Sequence, residues 1–351
     1  MSAHEPYMRR CLELAALGIG QVSPNPMVGA VIVHDGVIIG EGYHQQYGQA
    51  HAEVNAINQV LLKYENAADL LRNSAIYVSL EPCAHHGKTP PCADLIIKHQ
   101  LPFVVVGCTD PFEQVNGSGI NKLLAAGIKV TSGVLQEECE WLNRRFFTRV
   151  KNKRPYIILK WAQTDDGFFA PEDGSQFWIT GSESRQLVHQ WRTEEDAILV
   201  GKHTAAIDDP KLDSRLWPGR SPKRIVIDRK LELRTDLNLF DQSTETIVFN
   251  EIKTDVVGKI KYIALEDFDR FVPQYILFQL YLQDIQSVII EGGAFTINSF
   301  IEAGLWDEAR IFTGKPILHK GIKAPRLAQI ASEEFTFAED HLDIVYNKPV
   351  K

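Results

Sequence analysis

The apolar positions of this chain switch period repeatedly, between the three-to-four spacing of a helix and the runs of a strand. From Glu5 to Leu17 they recur at Met8, Cys11, Leu12 and Ala15, which predicts a first amphipathic helix. "MVGAVIVHDGVIIGEGY" sets two β-branched runs around Asp35-Gly36, a pair suited to positive φ, and predicts a β-hairpin. A helix is expected to open near His51 and to carry Val54, Ile57, Val60 and Leu61. Strand "AIYVSL" follows, then the loop "EPCAHHGKTPPC" and a helix carrying Leu95, Ile96 and Ile97. "PFVVVGC" reads as a buried strand, "GINKLLAAG" as a helix stopped by Gly127, and "IKVTSGV" as a strand. Gly117-Ser118-Gly119 reads as a turn before that helix. This alternation predicts a three-layer α/β domain over residues 1–149.

"VKNKRP", basic and ending in proline, predicts a linker over residues 150–155. The alternation then restarts with strand "YIILKWA", a helix from Ser182 to Thr193, and strands "AILVG", "RIVID" and "ETIVFN". A helix near Gln274 to Leu282, strand "SVIIEGG", helix "FTINSFIEAG" and strand "ARIFTG" complete a second α/β domain over residues 156–351. Residues 231–273 carry the weakest pattern, and no internal repeat is found.

Composition narrows the class. The chain has 351 residues, the length of two domains, with 44% hydrophobic and 23% charged positions, as in soluble globular proteins. The N-terminal stretch has a charged, broken apolar face and reads as no secretory signal, and no apolar run is long enough for a membrane-spanning helix. A net charge of −8 argues against generic nucleic-acid binding. Five cysteines are an odd, sparse set without a disulfide framework, so a cytoplasmic location is expected and paired cysteines read as metal ligands or reactive thiols.

The strongest chemical signal joins "HAE" (His51, Ala52, Glu53) to the loop cysteines. His51, Cys83 and Cys92 offer one imidazole and two thiolates, the three-ligand set of a catalytic zinc that keeps a fourth position open. Glu53, two residues after His51, is placed to carry a proton without coordinating the metal, the layout of zinc nucleobase deaminases. The plainer alternatives are a structural zinc or buried reduced thiols. In the second domain, polar groups gather at predicted strand ends, where open α/β sheets bind ligands. They lie in "LKWAQTDDG", "GSQFWIT", "GKHTAAIDDPKLDSR" and "VIIEGGAFTINSF". Gly292-Gly293 before a helix suits a phosphate or an ordinary turn, and no Gly-x-Gly-x-x-Gly follows a strand. Lys202 and His203 are basic groups that suit a cofactor's 2′-phosphate or simply solvent.

"SPNPMVGAVIV", "HAE" and "PCAHHGKTPPC" together resemble the deaminase domain of the bifunctional riboflavin-biosynthesis deaminase/reductase family. Cytidine and tRNA-adenosine deaminases have two residues between the loop cysteines, whereas this chain has eight. The resemblance implies a cytidine-deaminase-like domain followed by a dihydrofolate-reductase-like domain that uses NADPH. It implies substrate contacts from Asn25, His44, His85 and Lys88 in the first domain. In the second, Thr204, Asp208, Asp209, Pro210, Leu212 and Arg215 meet the family pattern. By that match Ala162, Trp178, Thr204, Asp208 and Gly293 would hold the cofactor. Arg192, Leu212, Arg215 and Glu291 would hold the substrate, and Lys160 would face the sugar. Gln176 stands where the family commonly has serine, so that substrate contact is shifted or replaced.

The implied reactions are zinc-dependent deamination of 2,5-diamino-6-(5-phosphoribosylamino)pyrimidin-4-one and NADPH-dependent reduction of the ribosyl chain. Lys160 or the Asp208 region, or water, would protonate the developing alkoxide. A homo-oligomer is the family expectation. The rival readings are a nucleoside or tRNA deaminase with an accessory domain, and a zinc-stabilised scaffold.

Overall fold

Asp35 and Gly36 both adopt positive φ, 47° and 79°, and close the expected hairpin between β1 (Gly29–His34) and β2 (Val37–Tyr43). In the computed structural model, which describes residues 2–84, 90–112, 116–173, 175 and 177–347, the chain divides into two compact units, Met1–Lys153 and Arg154–Lys351.

In the first unit β3 (Ala75–Leu80), β4 (Phe103–Cys108) and β5 (Lys129–Ser132) extend the hairpin into a sheet of order β2-β1-β3-β4-β5. β1 runs antiparallel to β2 and β3, while β3, β4 and β5 are parallel. β1, β3 and β4 are buried along nearly their whole length because helices cover both faces. α2 (Ala52–Lys63), α3 (Ala67–Arg72), α4 (Cys92–Lys98) and α5 (Ser118–Ala125) pack Ile57, Leu71, Ile96 and Leu123 against Ile32, Ile76 and Val104. On the opposite face α1 (Glu5–Ala16), α6 (Gln136–Leu142) and α7 (Arg144–Asn152) pack Met8, Cys139 and Phe147 against Val31, Tyr77 and Val105. Val150 to Asn152, expected in a linker, are the end of α7, which stops where Lys153 turns left-handed with φ 52°.

The second unit is built on a ten-stranded sheet of order β11-β12-β10-β9-β8-β13-β6-β14-β17-β16. Its elements follow in chain order as β6 (Tyr156–Thr164), β7 (Phe168–Ala170), α8 (Ser182–Glu194), β8 (Ala197–Gly201) and α9 (Lys202–Asp208). Next come β9 (Lys223–Ile227), β10 (Thr246–Asn250), β11 (Asp255–Val257), β12 (Ile260–Ala264), α10 (Val272–Tyr281) and β13 (Ser287–Ile290). The last are α11 (Ala294–Glu302), β14 (Glu308–Gly314), β15 (Ile322–Lys323), β16 (Glu333–Phe337) and β17 (Asp340–Tyr346). Strands from β12 to β14 across the sheet are parallel, and antiparallel strands close both edges. One face packs on α10 and α11 through Ile276, Leu280, Ile297 and Phe300, the other on α8 and α9 through Val188, Trp191 and Ala205. The region that read weakly, 231–273, contributes β10, β12 and the exposed edge strand β11.

Candidate metal centre and reduction site

His51 caps α2 and Cys92 is the first residue of α4, while Cys83 follows the end of β3. Three elements therefore deliver three ligands to one point. His51 Nδ1 lies 3.3 Å from Cys92 Sγ and 3.7 Å from Cys83 Sγ, and the three atoms lie within 4.8 Å of one another. A tetrahedral zinc bonded at about 2.3 Å to sulfur and about 2.0 Å to nitrogen separates its ligand atoms by roughly 3.5–3.8 Å, so the two nitrogen–sulfur sides are already close to the spacing the ion needs. Among the described residues this is the one cluster of histidine, cysteine and carboxylate ligands with that spacing. The Cys92 thiol and then His51 hold the Cys83 pKa down to about 4, and the Cys92 backbone N–H donates to Cys83 Sγ at 3.3 Å. Such a site favours the thiolate that a metal requires.

Glu53 lies in the first turn of α2 and is 3% exposed. Burial, and then the Cys83 thiolate, push its carboxyl up to about 7, a shift that a bound cation would oppose. It lines a cavity of about 330 Å³ together with His51, Cys83, Asn25 and His44. Asn25 Nδ2 lies 3.1 Å from His44 Nε2, and His44 Nδ1 lies 3.1 Å from the Ala50 carbonyl. His44 thus donates from Nδ1 and accepts at Nε2, a neutral ring whose pKa burial lowers. His85 and Lys88 lie outside the described residues.

Several pocket residues had no signal in the sequence. Tyr47, Asp110, Phe112 and Arg149 complete the wall, brought from three separate segments. Glu81, ahead of the Pro82-Cys83 step, accepts four backbone N–H groups, from Asp110, Gly117, Gly119 and Ile120, at 2.9–3.2 Å. It pins the loop after β4 beneath the metal ligands. A Cβ on Gly119 would fall 1.9 Å from the Pro82 carbonyl oxygen, so only glycine permits that approach.

In the second unit the parallel register sets Leu159 opposite Ile290, so Lys160 and Glu291 emerge side by side. Arg192 lies in the last turn of α8. Its Nη2 and Nε donate to the two Glu291 oxygens at 2.9 and 3.4 Å, and Nη1 donates to the Asp213 carbonyl at 3.0 Å. Three of its five N–H groups are so engaged, which leaves two for a ligand. Burial lowers the Lys160 pKa, and Glu291 opposes that shift. Arg215 is exposed and paired with Asp213.

Leu212 can offer only part of itself. Its side chain is 2% exposed and packs in the core, on a residue with φ 49°, so only its backbone can meet a ligand. Lys202 is paired with Glu232, so its charge is already engaged, and His203 is exposed.

β8 and β13 run side by side, and the glycines at and just after their ends let the chain segments approach closely. A Cβ on Gly292 would lie 2.7 Å from the Val200 Cα, and one on Gly293, where φ is 64°, would lie 3.4 Å from Thr204 Oγ1. Helix α11 starts there, and a helix N-terminus next to a hydroxyl is the kind of place where a phosphate binds. Ala162 is half-buried on β6, Asp208 ends α9, and Trp178 is 61% exposed with the Arg185 guanidinium 4.8 Å from its ring centre. Gln176 lies outside the described residues.

Comparison with known proteins finds a family match in each unit. The cytidine and deoxycytidylate deaminase zinc-binding region matches residues 1–108, and the RibD C-terminal domain matches residues 155–330. The riboflavin biosynthesis protein RibD of Aquifex aeolicus is 39% identical over 335 residues, 93% of this chain and 91% of its own. That of Bacillus amyloliquefaciens is 40% identical over 345 residues, 96% and 90% of the two chains. A Thermotoga maritima diaminohydroxyphosphoribosylaminopyrimidine deaminase/5-amino-6-(5-phosphoribosylamino)uracil reductase superposes with TM-score 0.89 at 37% identity, covering 98% of each chain. Acinetobacter baumannii RibD superposes with TM-score 0.88 at 31% identity, again over 98% of each.

Proposed function

The chain belongs to the RibD family of riboflavin-biosynthesis proteins, and from that premise we propose how its residues divide two reactions. It is a bifunctional enzyme, a zinc-dependent pyrimidine deaminase and an NADPH-dependent reductase. Its substrate is 2,5-diamino-6-(5-phosphoribosylamino)pyrimidin-4-one, and the product of the two steps is 5-amino-6-(5-phosphoribitylamino)uracil. Deamination is assigned to the first unit, Met1–Lys153, and reduction to the second, Arg154–Lys351.

His51, Cys83 and Cys92 would hold the zinc, which when bound supplies the Lewis acidity that makes water nucleophilic near neutral pH. Glu53 moves a proton from the attacking water to the departing amino nitrogen, and its burial keeps bulk water from competing. Asn25 and His44 line the substrate pocket, and His85 and Lys88 meet the ribose phosphate or the pyrimidine edge. In the second unit NADPH supplies the hydride. Ala162, Trp178, Thr204, Asp208 and Gly293 bind it, while Arg215, the Leu212 backbone and the two remaining N–H groups of Arg192 hold the sugar phosphate. Glu291 accepts a ribosyl hydroxyl, Lys160 orients the carbonyl, and Gln176 replaces the family serine.

The observation that carries this reading is the His51–Cys83–Cys92 triangle with Glu53 on the same cavity wall. A coupled assay on the zinc-loaded protein, following ammonia release and NADPH absorbance separately, tests it. Both signals in sequence are expected; ammonia from cytidine or a tRNA adenosine, without turnover of the phosphoribosyl pyrimidine, would overturn it. No helix among the described residues is long and apolar enough to cross a membrane. A cytoplasmic homo-oligomer that binds no nucleic acid completes the proposal, and sedimentation velocity with and without added RNA checks it.

A further inference from the structure

His189 lies on α8 one turn before Arg192 and is 5% exposed. Its Nδ1 is sealed from solvent, and among the described residues nothing hydrogen-bonds to its ring. Buried polar groups are rarely left this way unless a ligand or water completes them. The charged groups acting on the ring are Arg192 from its own helix, Arg215 and Asp213 from the segment after α9, and Glu291 from the end of β13. Of these, Arg192, Arg215 and Glu291 are assigned above to the phosphorylated sugar of the substrate, and Asp213 holds the two arginines.

Burial first, and then Arg192 and Arg215, hold its pKa down to about 4, so the ring is neutral near pH 7 and carries one N–H. A buried orphan acceptor is tolerated better than a buried orphan donor. With Nδ1 sealed, Nε2 is the ring nitrogen left to meet a ligand, and the tautomer protonated there makes it a donor.

We infer that His189 is a further substrate-contacting residue of the reduction site, donating from Nε2 to a phosphate oxygen of the phosphorylated sugar chain. The inference rests on the reductase reading above. It adds a neutral donor to a site otherwise read by guanidinium groups, and so a sensitivity to where the phosphate oxygens lie as well as to their charge.

The test is steady-state reduction of the deaminated intermediate, with and without its 5′-phosphate, by the full-length zinc-loaded protein. His189→Leu should raise KM for the phosphorylated substrate roughly tenfold and change KM for the dephosphorylated one less than about twofold. NADPH affinity and ammonia release should stay at wild-type level. His189→Gln, whose amide reaches the place of Nε2, should recover most of the loss. His189→Asn, too short to do so, should behave as the leucine variant does, and decides the question if that variant fails to bind NADPH. Equal effects on both substrates, no effect, or a glutamine variant as poor as leucine would overturn the contact and leave an ordered water as the partner. A wild-type protein inert toward the phosphorylated intermediate would overturn the reductase reading itself, and the contact with it.

Discussion

Glu53 and Glu81 are both buried beside the same metal ligands, and their surroundings give them opposite duties. Glu81 spends its two oxygens on four backbone N–H groups and anchors a loop. Glu53 faces the cavity with its carboxyl pushed up to about 7, suited to taking a proton and giving it back. Glu53→Gln should therefore lower ammonia release by at least about 100-fold, with zinc content by elemental analysis unchanged. In the second unit, Lys160→Met should abolish NADPH oxidation on the deaminated intermediate while ammonia release continues. His51, Glu53, Cys83 and Cys92 were legible because their chemistry is packed into short spacings. Glu81, Asp110 and Arg149 were not, because only folding brings them to the same place. Arg192 shows the same limit from the other side. Its helix position was readable, but its bond to Glu291, 99 residues away, was not.

At the scale of elements, most helices and strands followed from apolar period, since each has one face or both sealed by a neighbour. α6 and α7 escaped that reading because they are short and charged, and β11 because it is an edge strand with every residue exposed. α11 does two jobs: it starts at the Gly292-Gly293 step, and Phe300 in its body is fully buried against the sheet. Phe300→Ala should cost about 3–5 kcal/mol in chemical denaturation, through lost burial and the cavity left behind. α8 brings an acid sensitivity. His189 has its pKa lowered in the folded state to about 4 from an ordinary value of 6.5, so the unfolded chain binds more protons between those values. Its neutral form supports the fold above pH 6.5, and that support is lost as pH falls toward 4. The melting temperature of His189→Gln should consequently fall less steeply than wild type over that window.

For the whole molecule, the two units have separate hydrophobic cores, so damage to one chemistry need not reach the other. Cys92→Ser should remove zinc and ammonia release, yet leave NADPH oxidation on supplied deaminated intermediate near wild type. Loss of both activities would mean that the metal also supports the second unit. The two-part architecture was visible in the way the strand–helix alternation pauses and restarts. Where one part stops was harder to see, because basic residues and a proline mark the boundary while the helix ahead of them has not yet ended.

That helix matters to anyone who would cut the chain in two. Arg149 and Val150 form part of the wall of the deamination cavity, and α7 runs on to Asn152 before Lys153 turns out of it. A deaminase trimmed at the first sign of a linker, after residue 149, would keep every metal ligand and still lose a plank from the side of its pocket. The useful scissors position is after Lys153, where the compact unit itself ends.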